Sequence, residues 1–207
     1  MRHLSHSAWL CFLVLCLAPQ CGLAGESIRD ISAREVFTLL PDTIFENTVE
    51  GLGEREKQRL LADGQAKFWQ LAEETKDFLL FSALPFHDSA VALRLFCDAD
   101  GEFCLAATGT IGGSLCTLEL WRMDNAGRIV PVDGPPEPDI RDFLRPGQVL
   151  PGGIQPSTVV CLDFDGLKAQ PLFWSSAGLV HLPVAREVRY QWNGKAFEKR
   201  ISVRAAP

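Results

Sequence analysis

Cys97-Asp98-Ala99-Asp100-Gly101-Glu102-Phe103-Cys104 is the stretch that decides how this chain folds. Asp and Gly accept the positive φ angles that tight hairpins need, so Asp100-Gly101 marks a turn between two strands. Two strands joined there bring Cys97 and Cys104 close enough to bond. Cys116 and Cys161 are the other cysteines beyond residue 24, and their pairing follows by elimination. Four free buried thiols are the alternative. A zinc site is disfavoured, because no Cys-x-x-Cys pair or neighbouring His completes one.

The same layout recurs further on. Residues 91–132 and 158–201 each open with an apolar strand carrying a cysteine, Cys97 or Cys161. Each then turns at Asp-x-Asp-Gly, through Asp98 and Asp100 in one and Asp163 and Asp165 in the other. Each ends in a turn rich in Asn and Gly, Asn125-Ala126-Gly127 or Asn193-Gly194, before a last strand. Two related four-stranded meanders are one reading; unrelated hairpins with similar turns are the other. Two such units cannot close a β-propeller, which uses about four blades or more.

Alternation is clean in places, although Lys199 breaks the apolar side of the last strand, on which Phe197, Ile201 and Val203 lie. Cys116, Leu118 and Leu120 share one face, and Thr117, Glu119 and Trp121 the other. Between the strand groups, residues 134–157 are rich in Pro and Gly. They hold one short helical candidate from Asp139 to Leu144, with Ile140, Phe143 and Leu144 to bury.

Upstream, the pattern is helical. Ser32-Ala33-Arg34-Glu35 is a capping box opening a helix that Pro41 ends. A second helix spans Glu54 to Asp63, with Gly64 as its stop. The expected architecture is therefore α+β: a helical segment over 25–66, a first β meander over 67–133, the crossover 134–157 and a second meander over 158–207. Together they form a single domain packed on mainly antiparallel β-structure.

The first 24 residues read as a secretory signal peptide. Arg2 precedes an apolar run from Trp9 to Ala18, and Gly22-Leu23-Ala24 offers small residues for cleavage after Ala24. The run is shorter than the ~20 apolar residues of a membrane span, so no stable span is expected after cleavage. A retained N-terminal anchor and lipid attachment at Cys21 are the alternatives. Export to the periplasm or the medium suits a framework of two disulfides. Cleavage removes one charged residue, Arg2, and takes the net charge of −6 to −7. The charges are interspersed without a basic stripe, which argues against nucleic-acid binding.

No catalytic, cofactor or metal residue is assigned from sequence. The Asp-x-Asp-Gly loops offer too few oxygens for Ca²⁺, which takes about six to eight. His87-Asp88-Ser89 places neighbours on opposite sides of an extended chain and builds no triad. The glycine-rich loop that starts at Gly109 opens no helix, so it lacks the dipole that a phosphate cradle uses. Asp139 and Asp142 would share a helix face but suit the first turn of that helix equally well. What stands out is the aromatic content: facing outward, Trp121, Tyr190 and Trp192 would be a candidate binding surface; facing inward, the favoured alternative, they are core. The expectation is an exported, non-catalytic binding module whose partner is a protein or a cell-envelope glycan. An envelope-directed hydrolase with carboxylates from separated loops, and a subunit of an exported assembly, are the rivals.

Overall fold

The computed structural model describes residues 28–45, 48, 51–84, 90–111, 115–124 and 126–204. The leader expected over 1–24 and the His87-Asp88-Ser89 turn lie outside the described residues. Within them, two short α-helices accompany two antiparallel sheets, and the fold is mostly β.

Helix α1, Ala33–Leu39, starts at the expected capping box. The Ser32 hydroxyl accepts from the Glu35 N–H at 3.3 Å, and the Ser32 N–H donates to Glu35 Oε2 at 2.7 Å. Helix α2, Glu54–Asp63, stops at Gly64, whose φ of 72° is the left-handed conformation glycine adopts without strain. The Arg34 guanidinium forks onto Glu74 at 2.6 and 2.5 Å and also donates to the Leu61 carbonyl, tying α1 to the first sheet and to α2. Buried Lys57 of α2 turns its Nζ onto the carbonyls of Leu40 and Thr38, so a cation satisfies the open C-terminal end of α1.

The first sheet runs in chain order through β1 (Trp69–Glu74), β2 (Phe78–Ala83), β3 (Ala90–Cys97), β4 (Phe103–Ile111), β5 (Leu118–Asp124) and β6 (Ile129–Val132). After a crossover containing the 3₁₀ turn Ile140–Asp142, the second sheet forms from β7 (Gln155–Asp163), β8 (Gly166–Ser175), β9 (Gly178–Val180), β10 (Arg186–Trp192) and β11 (Phe197–Val203). Its order is β11-β10-β8-β7, with the short β9 also paired to β8.

The first sheet is the middle layer. On β3, Val91, Leu93 and Leu95 join the helix residues Val36, Phe37 and Leu60 in one core. Ala92 and Phe96 of the same strand join Val160, Leu162 and Val188 of the second sheet in another. Burial on both faces explains why β3 reads as an almost unbroken apolar run instead of an alternation. The stack is helices, six-stranded sheet, five-stranded sheet.

Several ties lock the two sheets together. Disulfides join Cys97 to Cys104 within the β3–β4 hairpin and Cys116 to Cys161 between the sheets, with Cα–Cα separations of 4.0 and 5.7 Å. A side chain at Gly109 would meet the Thr117 carbonyl at 2.3 Å, so only glycine lets β4 pass that close to the segment leading into β5. Among the described residues, no helix is long and apolar enough to cross a membrane.

Candidate functional site

The aromatic residues singled out from sequence do not share one face. Trp121 is half-buried and packs on the helix-side core, its Nε1 donating to Thr108 Oγ1 at 3.3 Å. Tyr190 is 3% exposed, with its hydroxyl donating to the Pro136 carbonyl, and burial raises its pKa. Trp192 donates to the Cys97 carbonyl at 2.9 Å and stacks among Phe96, Phe103 and Phe197, bolting the end of the second sheet to the β3–β4 hairpin. Tyr190 therefore belongs to the core, and Trp192 acts mainly as a contact between sheets.

The Asp-x-Asp-Gly turns serve their own surroundings. Asp98 is 7% exposed, and its Oδ1 accepts from the Phe103 N–H at 3.0 Å. Burial pushes its carboxyl up, but the N–H groups of Phe103, Glu102, Asp100 and Gly101 outweigh that and hold it below the usual carboxylate range. Asp163 and Asp165 of the second turn lie 4.0 and 3.8 Å from the Arg189 guanidinium. Among the described residues, no group of three or more His, Cys, Asp or Glu is placed to hold a metal ion.

A depressed pKa at Asp98 has a signed consequence. The stability it contributes is complete above the ordinary value of 3.8 and is lost as pH falls through the lower folded-state value. Asp98→Asn keeps an acceptor but removes the titration. Its unfolding free energy is expected to fall less than that of the unaltered protein when urea titrations move from about pH 5 to about pH 3. Parallel losses would mean that Asp98 does not titrate as the turn geometry requires.

The concave site of this fold was not visible in the sequence. Strands β9 and β10 share one edge of β8 without meeting. β10 pairs with Leu167 to Ala169, and β9 pairs with Phe173 to Ser175. Between them, Gln170, Pro171 and Leu172 face a notch of about 560 Å³, closed on the far side by residues 181–185. That size falls within the range of small-molecule pockets. Apolar groups line it from Leu172, Leu179 and Val184, with Phe143 buried beneath them. The Phe143 carbonyl accepts from the N–H groups of both Ala185 and Arg186, at 3.0 and 3.1 Å, which pins the crossover beneath the notch. A second hollow of about 580 Å³ lies across Val184, walled by residues 145–148 and 183–185.

The rim of the notch is cationic. Lys168, Arg186, Arg189 and Arg204 line it together with His181, against a single carboxylate, Glu187. Glu187 is shared: Lys168 Nζ lies at 3.1 Å and Arg189 Nε at 2.7 Å. Burial pushes the Glu187 carboxyl up, but hydrogen bonds from Arg189 and Lys168 outweigh it and hold it below the usual range. Arg189 is raised in turn by its hydrogen bond to Glu187. Arg186 and Arg204 pair with no carboxylate among the described residues. Both line the notch, and the backbone holds Arg204 at its edge, where the Arg204 N–H donates to the Ala185 carbonyl at 3.0 Å. Sequence shows Glu187 and Arg189 as the polar side of an alternating strand; it carries no sign that two strands split one edge of β8. Comparison with protein-family models, with curated proteins and with solved structures finds no match for this chain.

Proposed function

We propose that this chain is an exported, non-catalytic binding module that takes its ligand in the notch between β9 and β10. The observation that carries the reading is the notch itself: an apolar floor under a rim with two arginines uncommitted to carboxylates, on the open side of a braced sheet. A rigid scaffold holding a preformed concavity loses little freedom when a ligand enters. The hydrolase alternative gains no support from the carboxylates. Those with a displaced pKa, Glu35, Glu74, Asp98, Asp124 and Glu187, are all pushed down, and a general acid needs its pKa raised.

Two disulfides fit an oxidising compartment, and the reading places the module in the periplasm or the medium, acting on an envelope component. The related layouts of residues 91–132 and 158–201, each with a cysteine and an Asp-x-Asp-Gly turn, belong to the same proposal as marks of a duplicated unit.

Native mass spectrometry tests it, using oxidised protein equilibrated with envelope extract from its own source. The expected spectrum holds a bound species with a defined added mass, absent in Leu172→Trp, which fills the notch and leaves the second hollow untouched. Matching near-ultraviolet dichroism and intact disulfides would show that the variant folds. Equal retention by the folded variant, or no bound species at all, would overturn the assignment of the notch as the binding site.

A further inference from the structure

We infer that the ligand of this notch is an amphiphilic oxyanion: one carboxylate or phosphate group carried on an apolar body. The inference rests on the binding-module reading and names its chemical class. The first observation is charge. The chain as a whole carries −6, yet Lys168, Arg186, Arg189 and Arg204 line the notch with one lining carboxylate, Glu187, while Asp163 and Asp165 approach Arg189 from outside the lining. Glu187 occupies Lys168 and Arg189 and is itself held ionised, so that end of the notch is neutralised from within. Arg186 and Arg204 are not neutralised in this way. Each of these guanidinium groups lines the notch beside apolar surface, where an anion is attracted more strongly than in open water, because the local dielectric is lower.

The second observation is the floor. Leu172, Leu179, Leu182 and Val184 supply apolar surface next to those arginines. Leu179 remains 40% exposed, so covering it removes apolar area from water. A purely inorganic anion would leave that surface wet, and a neutral apolar molecule would leave the two guanidinium groups without a counter-ion. Only a ligand with both parts uses both halves of the notch. The strand geometry fits the same class. The gap beside Gln170–Leu172 is too short to seat a further strand of ordinary length, which favours a small molecule over an added peptide strand.

Isothermal titration of the full oxidised protein decides the matter, with each probe kept below its micellar concentration. Decanoate and decyl phosphate are expected to bind. Decanol and inorganic phosphate are expected to bind about tenfold more weakly or not at all, since each lacks one half of the interaction. Arg186→Ala with Arg204→Ala should lower decanoate affinity about tenfold or more, and the paired Arg→Lys variant should recover part of it. Added salt should weaken decanoate binding. A preference for decyl phosphate over decanoate would assign the head group to phosphate; the reverse would assign it to carboxylate. Decanol binding as tightly as decanoate, or an Arg-to-Ala pair with unchanged affinity, would overturn the inference. If neither amphiphile binds while an extract ligand is still lost from Leu172→Trp, the ligand class is wrong and the notch remains the binding site. If Leu172→Trp also retains that ligand, the binding-site reading falls as well.

Discussion

Trp69→Ala is expected to lower the unfolding free energy by about 4 kcal/mol, as large aromatic-to-alanine changes in a core do. Trp69 is fully buried at the start of β1, in the core between the helices and the first sheet. Its ring removes one of the largest apolar areas in the chain from water, and its Nε1 donates to the Gly51 carbonyl at 2.8 Å. Alanine leaves a cavity that the opposed rings of Phe37 and Phe81, with centroids 4.6 Å apart, cannot fill without losing their own contact. It also withdraws the indole donor from the Gly51 carbonyl, in the segment leading into α2. Trp121→Ala, at a half-buried ring on the same core, should cost clearly less. Urea unfolding followed by fluorescence checks both. A loss below about 1 kcal/mol for Trp69→Ala would mean that the helices do not pack on this sheet as described.

Removing the Cys116–Cys161 bond is the other large effect. Its cysteines are 45 residues apart in sequence, and the chain-entropy relation gives about 4 kcal/mol for a loop of that length. Cys97 and Cys104 are separated by 7 residues, for which the same relation gives about 2.5 kcal/mol. Structure widens the difference. Cys97 and Cys104 already face each other in the β3–β4 register, so the hairpin holds them together without the bond. Cys116 precedes β5 and Cys161 lies in β7, so their bond joins the two sheets covalently. The double variant Cys116→Ala with Cys161→Ala should therefore unfold at markedly lower urea than Cys97→Ala with Cys104→Ala. Equal midpoints would contradict the role given to the inter-sheet bond.

Local chemistry explains which parts of the fold were legible in the sequence. The Glu54–Asp63 helix appears within its expected bounds, because Gly64 provides a left-handed stop. The Ser32–Glu35 capping box forms both of its hydrogen bonds. Cys97 and Cys104 meet because Asp98 organises a tight turn around its own carboxylate. In each case the determinant lies within a few residues of its effect.

The less legible parts depend on what covers a surface. Alternation in β5 separates Leu118 and Leu120 from Glu119 and Trp121, which describes a strand with one wet face. Yet β5 belongs to a middle layer, so Met123 and Trp121 pack towards the helices on the side that reads as polar. Tyr190 alternates with Arg189 and Gln191 as either an exposed or a buried ring would, and only the overlying crossover decides that it is buried. The notch is more distant still from sequence. It exists because β9 ends before β10 begins to pair with β8, and neither strand's composition records that gap.

The proposed ligand site is the notch between β9 and β10. Amide hydrogen exchange tests it most directly, comparing the oxidised protein alone with the protein in envelope extract from its own source. The result expected is slowed exchange concentrated in residues 168–173 and 179–187, with the helices and the first sheet unchanged. Slowed exchange centred elsewhere, such as around Trp121, or no change in the presence of extract, would contradict the account.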